Sequence, residues 1–238
     1  MTLSWDDHAD WWVSGFGAGR DPVWAEQILP LAADLLAGRG RVVDLGCGEG
    51  QLLRRLAPGS VGLDASPLLL RAAAAAGPGS LLVTGDVTAL PFADASFGGA
   101  AIVLVLEHVE DVGATIGEVS RVLVPGGRLV TFVNHPLFQA PGAGWVEDHV
   151  LGEAYWRVGG YLVESVSEEE VEAGVRLPFH HRPLSTYLNC LADAGFVLER
   201  MLEPAPPPGY LDADPALRAT TSIPRIAVLV ASLIDVGT

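Results

Sequence analysis

The sequence predicts an α/β fold in which a mostly parallel sheet carries helices on both faces. From position 41 onward, short β-rich runs alternate with helical segments, a rhythm typical of strand–helix–strand units. The strand runs, such as 99–106 (GAAIVLVL), are continuously apolar, as expected for strands buried on both faces. With 238 residues, half of them hydrophobic, the chain can fill one large core. We therefore expect a single domain, residues 1–238.

The predicted elements follow in order along the chain. Two helices, 5–14 and 22–36, precede the sheet, and the second has a proline at an early helical position. The predicted strands are 41–45, 60–64, 81–86, 99–106, 128–134, 196–202 and 225–232. The helices among them are predicted at 51–56, 67–76, 112–123 and 183–194.

Residues 135–182 interrupt this rhythm with glycine, proline, aromatic and histidine residues and an acidic run. Within them, 161–167 and 170–178 alternate like the two strands of a hairpin. Because the strands resume afterwards, we interpret the segment as an insertion and not as a new domain. It follows the carboxyl end of a strand, where open α/β sheets bind ligands. We expect it to form a lid over the site, and the N-terminal helices in 1–40 to lie over the same side of the sheet.

Charge and cysteine usage disfavour several functions. The formal net charge is −15, and all 14 basic residues are scattered arginines, so neither nucleic acid nor an anionic membrane is an expected partner. Cys47 and Cys190 supply neither a disulfide framework nor a zinc-ligand spacing. The longest apolar runs, 100–106 and 226–234, are too short to span a bilayer as helices, and the acidic, aromatic N-terminus is unlike a secretory signal. We expect a cytoplasmic protein.

The most informative segment is the glycine-rich loop in 42–50, VVDLGCGEG. Gly46, Gly48 and Gly50 allow a sharp turn from strand to helix and a close approach of a ligand to the backbone. Their G-x-G-x-G spacing differs from the G-x-G-x-x-G of most nicotinamide and flavin sites, where a pyrophosphate lies at the helix N-terminus. The loop therefore favours another kind of ligand.

Three acids indicate what that ligand is. Asp44 precedes the glycine turn and Glu49 lies inside it, so the loop is negative where a pyrophosphate would need positive charge. Asp64 ends the next apolar run, 20 positions after Asp44, and this pairing indicates an adenosine-type cofactor. A ligand with a cationic centre suits these charges better than an anionic one.

Four motifs, in order, make residues 41–133 resemble the class I S-adenosylmethionine-dependent methyltransferases. VVDLGCGEG is similar to their glycine loop and VGLDAS to their ribose-binding strand end. GDVTALPFADASFGGAAIVLVLEHVED is similar to their adenine-side segment and fourth strand, and EVSRVLVPGGRLVTFV to their helix, turn and fifth strand. One glycine loop alone would be weak evidence, whereas four ordered motifs are specific.

The resemblance implies a three-layer, Rossmann-like, doubly wound sheet of seven strands, mostly parallel, with an antiparallel last strand and an insertion after strand 5. It implies S-adenosyl-L-methionine as cofactor and S-adenosyl-L-homocysteine as product. The acceptor is expected to be a small molecule, methylated on oxygen or nitrogen, with residues 135–182 on the acceptor side. Whether the protein is a monomer or a homodimer stays open.

The resemblance also assigns the cofactor contacts. It implies that Asp64 accepts both ribose hydroxyls, that Asp44 helps to hold the methionyl amine, and that Asp86 receives the adenine amino group beside the N–H of Val87. By position alone, Asp64 could instead cap a helix, Asp44 brace the turn and Asp86 cap a loop. The predicted cofactor-binding residues are Asp44, Gly46, Cys47, Gly48, Gly50, Asp64, Ala65, Asp86, Val87, Leu104 and Glu107.

Histidines are the candidates for a proton acceptor, which is needed only if the acceptor atom must lose a proton. His135 follows the fifth strand directly and is the leading candidate, with an orienting or packing role as the alternative. His108 could reach the site, but its position also suits a helix start. His180 and His181 are adjacent on an extended segment and point to opposite faces, so at most one should enter the pocket.

Aromatic residues are candidates for an acceptor pocket, although core packing explains most aromatic side chains. The predicted substrate-binding residues are Trp12, His135, Trp145, Tyr155, His181 and Tyr187. We expect no metal, because the histidines and acids of the insertion show no recognised ligand spacing.

Three alternatives remain at this point. A nicotinamide-dependent oxidoreductase would need a loop that accepts pyrophosphate, which G-x-G-x-G with Glu49 does not offer. A non-catalytic cofactor-binding or scaffolding subunit would use the insertion to dock a partner. A nucleic-acid methyltransferase is opposed by the acidic composition.

Overall fold

The computed structural model describes residues 5–15, 21–77, 81–172, 174–213, 218 and 220–234, apart from the side chain of Ala154. In chain order its strands are β1 (Val42–Leu45), β2 (Val61–Asp64), β3 (Leu81–Thr84), β4 (Phe97–Val103), β5 (Leu123–Asn134), β6 (Gly144–Asp148), β7 (Glu153–Arg157), β8 (Ser165–Glu172), β9 (Val175–His181), β10 (Phe196–Leu202) and β11 (Ile226–Leu233). Its α-helices are α1 (Ala9–Gly15), α2 (Leu29–Leu35), α3 (Pro67–Ala76), α4 (Val112–Val122), α5 (Pro136–Gln139), α6 (Leu184–Asp193) and α7 (Pro208–Ala213).

Seven strands form one sheet in the order β10-β11-β5-β4-β1-β2-β3. From β5 to β3 the neighbours are parallel, whereas β11 runs antiparallel to both β5 and β10. The expected mostly parallel sheet with an antiparallel last strand is confirmed. Because β1 lies between β2 and β4, the chain winds away from β1 first in one direction and then in the other. Open α/β sheets bind ligands at the carboxyl ends of strands at such a switch point.

Helices cover both faces of the sheet, as the apolar runs predicted. Successive side chains of β1 alternate between two cores: Val43 packs with residues of α4 and α6, whereas Val42 packs with the N-terminal helical region. The sheet is therefore the middle layer of three, and its strands are buried on both sides.

Local signals explain where the helices begin. Helix α3 has Pro67 at its first position, and the hydroxyl of Ser66 accepts a hydrogen bond from Leu69 N at 3.1 Å. Helix α4 begins in the same way, because Asp111 Oδ1 accepts from Ala114 N at 2.8 Å. Among the described residues, no helix is long and apolar enough to cross a membrane.

The N-terminal helical region lies where it was predicted, but parts of it are 3-10 or π-helix and not α-helix. The predicted helix at 5–14 is a 3-10 turn, Trp5–His8, followed by α1. The predicted helix at 22–36 is π-helical over Val23–Ile28 before it continues as α2.

Two element predictions near the glycine loop and β4 are wrong in extent. The predicted helix at 51–56 is only a 3-10 turn, Leu53–Arg55, because the chain returns to extended backbone at Leu56. The fourth strand ends at Val103 and not at 106, because Leu104 has a positive φ of 53° and breaks the extended conformation.

The insertion after β5 forms two hairpins outside the main sheet. A hairpin was predicted here, but its strands are shifted: β8 spans Ser165–Glu172 and β9 Val175–His181, so the turn lies after residue 172 and not at 168–169. The β6–β7 hairpin was not predicted. Its strands are five residues long and pair Trp145 with Trp156, too short a pattern to stand out from its glycine-rich surroundings.

Candidate active site

A cavity of about 990 Å³ lies at the switch point of the sheet. Its wall contains Asp44 of β1 and the glycine loop after it, Asp64 of β2 and Val103 of β4. Parts of the N-terminal region and of β9 complete the wall. The residues that line it, besides those four elements, include Trp5, Trp12, Trp24, Asp86, Val87, Thr88, His108, Glu110, Asp111, Pro178 and His180.

The glycine loop is held against β2 and β4. The N–H groups of Gly46 and Cys47 both donate to Leu63 O, at 2.7 and 3.0 Å. Gly46 has a φ of 73°, and a Cβ there would lie 2.4 Å from Val105 Cγ2, so position 46 accepts only glycine. The loop thus turns at the end of β1 with its backbone exposed to the cavity.

Asp64 is fixed by two backbone donors. Its Oδ2 accepts from Gly48 N and its Oδ1 from Ser66 N, both at 2.8 Å. Because a carboxylate offers about four lone-pair sites, both oxygens can accept further hydrogen bonds. The helix-capping alternative for Asp64 does not apply, since Ser66 caps α3. Asp64 is left free to receive a pair of hydroxyl groups.

Asp44 is 3% exposed and carries an unfavourable charge. Burial, and then the neighbouring carboxylates of Asp64 and Glu49, raise its pKa to about 7. No hydrogen bond from the described residues counteracts this shift in pKa. The cavity therefore presents an excess of negative charge to a ligand, because no arginine is among its described lining residues.

Asp86 occupies an exposed turn after β3 and lines the cavity. Its Oδ1 accepts from both the backbone N–H and the hydroxyl of Thr88, at 2.8 Å each. The loop-capping role is therefore present, and Oδ2 stays available for another partner.

Tryptophans form one wall of the cavity. The Trp12 ring makes edge contacts with Trp5 at 6.0 Å and with Trp24 at 5.9 Å between ring centroids. Trp12 Nε1 donates to Glu49 Oε2 at 2.7 Å, which ties α1 to the glycine loop. Of these three residues the sequence analysis singled out only Trp12. Trp5 and Trp12 are seven positions apart, a helical spacing that could have identified them as one face.

His108 has a defined hydrogen-bonding arrangement in the cavity wall. Its Nδ1 lies 2.8 Å from Pro178 O, and its ring makes edge contacts with Trp5 and Phe179. Because a carbonyl oxygen only accepts, Nδ1 carries the hydrogen, and Nε2 is the basic nitrogen of the neutral ring. Pro178, which fixes this tautomer, had no recognisable signal in the sequence.

Only one of the two adjacent histidines of β9 lines the cavity, in keeping with their alternation. His180 lies in the wall, and burial together with the nearby Arg182 lowers its pKa, which favours the neutral ring. His181 is buried on the other face, where its Nε2 donates to Tyr161 O at 2.9 Å.

The structure does not bring His135, the leading candidate base, to the cavity. His135 is 3% exposed and uses both ring nitrogens elsewhere. Its Nδ1 accepts from Leu137 N at 3.1 Å and caps α5, while Nε2 donates to Glu203 Oε1 at 2.8 Å. The structure therefore supports the alternative, orienting role for this residue.

Other candidates also lie away from the cavity wall. Trp145 and Tyr155 are exposed on the β6–β7 hairpin, and Tyr187, a residue of α6, is buried in the core. Gly50 does not line the cavity, although the rest of its loop does. Glu107 is buried and accepts from the N–H and side-chain amide of Asn134 at 3.2 and 2.7 Å, so it fastens the end of β5.

Proteins with sequences similar to this chain are named methyltransferases. Residues 43–131 match a family described as a methyltransferase domain. An uncharacterized methyltransferase of Mycobacterium tuberculosis is 32% identical over 226 residues, which cover 92% of this chain and 84% of that protein. A demethylmenaquinone methyltransferase of Thermus thermophilus is 36% identical over 121 residues, which cover 47% of this chain and about half (54%) of that protein.

Solved structures agree with these relatives. An S-adenosylmethionine-dependent methyltransferase from Mesorhizobium loti has a TM-score of 0.74 at 33% identity, covering 85% of this chain and 96% of that chain. A putative enzyme of the same description from Listeria monocytogenes has a TM-score of 0.71 and covers 88% of this chain and 100% of that chain. Its 22% identity makes this second match a likeness of fold.

The cavity fits the cofactor for which these structures are named. Asp64 offers acceptors at a strand end, the glycine loop lines the cavity, and Glu49 holds a buried oxygen, Oε1, that has no hydrogen-bond donor among the described residues. A ligand with a sulfonium, an ammonium group and ribose hydroxyls suits these acceptors, whereas a pyrophosphate would meet an excess of negative charge. We conclude that the chain belongs to the class I S-adenosylmethionine-dependent methyltransferases and uses S-adenosyl-L-methionine as its cofactor.

Proposed function

We propose that this enzyme methylates an oxygen or nitrogen atom of a small molecule and that His108 accepts the proton which that atom loses. The observation that carries the proposal is the hydrogen bond from His108 Nδ1 to Pro178 O, which leaves Nε2 as the base. His108 also lies in the cavity wall, beside the tryptophans that would contact an acceptor. A general base of this kind contributes about 10²- to 10⁴-fold to a rate.

The chain's own residues prepare the reaction around the cofactor, which supplies an electrophilic methyl group. In this proposal Asp64 holds the ribose hydroxyls and Asp86 the adenine amino group, which is supported by their positions in the cavity wall. Trp5 and Trp12 also line the cavity, where their apolar rings would exclude water. His108 Nε2 would take the proton of the acceptor atom, and the electron pair that this atom keeps would form the bond to the methyl carbon. The S–C bond of the cofactor would break at the same time, with its electron pair passing to sulfur, so that S-adenosylhomocysteine leaves.

Replacing His108 by asparagine tests the base. The side-chain amide can still donate to Pro178 O, because its nitrogen takes the place of Nδ1, but the basic Nε2 is lost. We expect turnover to fall about 10²- to 10⁴-fold while cofactor affinity stays unchanged. Release of S-adenosylhomocysteine in a screen of phenol, alcohol and amine acceptors measures turnover, and calorimetry measures affinity.

His135→Asn serves as the matched control. The variant keeps an acceptor for Leu137 N but loses the contact with Glu203, so it should lower stability and retain turnover. Full activity of His108→Asn together with loss of activity in His135→Asn would reverse our assignment.

A second candidate is methylation of a ring carbon of a quinone-type acceptor. Two relatives favour it by name: the Thermus demethylmenaquinone methyltransferase, and a ubiquinone/menaquinone biosynthesis C-methyltransferase from Desulfotalea psychrophila that is 35% identical over 125 residues. The tryptophan wall suits a flat ring equally well. Incubation with reduced demethylmenaquinone, followed by locating the new methyl group by NMR, separates carbon from oxygen methylation.

The net charge and the intact cavity support a small-molecule acceptor. The net charge of −15 disfavours nucleic acid, and we place the enzyme in the cytoplasm. The non-catalytic alternative is disfavoured because the loop and its acids are intact around an open cavity. Turnover on any acceptor in the screen would exclude it.

A further inference from the structure

Only one of the two carboxylate oxygens of Glu49, in the glycine loop, accepts a hydrogen bond among the described residues. The residue is 6% exposed and lines the cavity. Its Oε2 accepts from Trp12 Nε1, but its Oε1 is buried and has no hydrogen-bond partner among the described residues. A desolvated carboxylate oxygen without a donor is costly, so this atom lacks a partner that the described chain does not supply.

The surroundings of Glu49 require that partner to be positively charged. Asp44 and Asp64 are its acidic neighbours, and the charge of Glu49 itself contributes to raising the pKa of Asp44. Arg54 lies close, but its Nη1 donates to the backbone oxygen of Glu49, at 2.7 Å. Among the described residues, none of the ion pairs includes the Glu49 carboxylate.

The cofactor carries two cationic groups, and only one of them can satisfy Oε1. A sulfonium has no hydrogen to donate, whereas the α-ammonium group of the methionyl part has three. The ribose and adenine donors belong with Asp64 and Asp86, at the ends of β2 and β3, whereas Glu49 lies beyond β1 near Asp44. The ammonium group is therefore the donor that matches both the position and the charge of Glu49.

We propose that Glu49 binds the α-ammonium group of S-adenosylmethionine together with Asp44, and that its bond to Trp12 couples this contact to closure of the N-terminal region over the cofactor. Gly48 leaves room for the Trp12 ring, because a Cβ there would lie 3.3 Å from Trp12 Nε1, a tight contact. Asp6, which bonds Ser66 Oγ and accepts from Leu68 N at 3.2 Å, holds the same region beside the ribose-binding strand end.

Two ligands that differ in the amino-acid part test the first half of the proposal. S-adenosylhomocysteine carries the ammonium group, whereas 5′-methylthioadenosine lacks it and shares the adenosine. In Glu49→Gln the amide oxygen can still accept from Trp12, but the charge is lost. By calorimetry we expect S-adenosylhomocysteine to bind about 10- to 100-fold more weakly, and methylthioadenosine to change less than about twofold.

Asp86→Asn is the matched control, since it should weaken both ligands by the same factor. An equal effect of Glu49→Gln on both ligands, or none on either, overturns the ammonium assignment. These binding measurements do not depend on the acceptor or on His108, so they stand apart from the test of the proposed function.

Trp12→Phe tests the coupling, because it removes the Nε1 donor and keeps an aromatic ring. In the unaltered protein, S-adenosylhomocysteine should protect residues 5–15 from limited proteolysis more than saturating methylthioadenosine does. In Trp12→Phe this difference should disappear while both ligands still bind. Equal protection by the two ligands in the unaltered protein, or a difference that persists in Trp12→Phe, overturns the coupling.

Discussion

Asp44 places an unfavourable charge in the cofactor-free protein, because it is buried beside the carboxylates of Asp64 and Glu49. Its pKa of about 7 in the folded protein lies well above its ordinary value of 3.8. When folding raises the pKa of a carboxyl group, the folded protein is not penalised at pH below about 4, where the group is protonated in both states. The free energy of unfolding then falls as the pH rises toward the folded pKa of about 7. Asp44 therefore destabilises the cofactor-free protein at neutral and alkaline pH, a cost that a cationic ligand relieves.

Asp44→Asn should accordingly stabilise the cofactor-free protein at pH 8, by as much as about 4 kcal/mol, and leave its stability at pH 4 nearly unchanged. The amide keeps the size of the side chain and removes the charge beside Asp64 and Glu49. Denaturant unfolding at both pH values measures the difference. A variant less stable than the original protein at pH 8 would show that Asp44 is ionised without penalty.

At single positions, the sequence predicted which acids line the cavity better than which histidines do. Asp44 and Asp64 lie at the ends of β1 and β2 and Asp86 lies two residues after β3, and the carboxyl ends of parallel strands converge on one edge of a sheet. His135 also follows a strand, yet its ring turns to Glu203 and caps α5. The orientation of a ring depends on partners far along the chain, such as Pro178 for His108, and no local pattern records them.

The glycine loop is the element on which the site depends most. Gly46 and Gly38 have the same φ of 73°, but a Cβ at Gly46 would meet Val105 at 2.4 Å, whereas one at Gly38 would meet nothing within 4 Å. Both substitutions by alanine should cost about 1 kcal/mol of backbone strain. Gly46→Ala should cost a further 1 to 3 kcal/mol from overpacking and abolish cofactor binding. Thermal unfolding and calorimetry measure the two effects, and equal stability of both variants would contradict this account.

Long elements were predictable because their patterns are long. Helix α3 matches the predicted range, since a proline at its first position and a serine cap mark its start. Short elements were not: the turn at Leu53–Arg55 was expected to be a helix, and the β6–β7 hairpin was missed. In both cases fewer than six residues carry the pattern, and tertiary contacts decide the outcome.

The whole molecule concentrates its function at one switch point of the sheet. Alternating apolar runs and helices predicted the seven strands and their mostly parallel pairing, because strands buried on both faces carry a strong signal. The acceptor side could not be predicted in the same way. Of the described residues of the insertion, Pro178 and His180 line the cavity wall, and no periodic pattern in the sequence predicts these two. The N-terminal region contributes its tryptophans.

The free energy of folding and the binding of cofactor should be linked through pH. Burial, and then Asp64 and Glu49, raise the pKa of Asp44 to about 7, so this carboxyl group titrates near neutrality. Burial also raises the pKa of the nearby Cys47 thiol, which therefore stays neutral in this range. An ammonium group favours the ionised form of Asp44, and binding then releases a proton. S-adenosylhomocysteine should therefore bind about tenfold more tightly at pH 8 than at pH 6 and raise the unfolding temperature more at pH 8. Asp44→Asn should remove this dependence, and tighter binding at pH 6 than at pH 8 would contradict it.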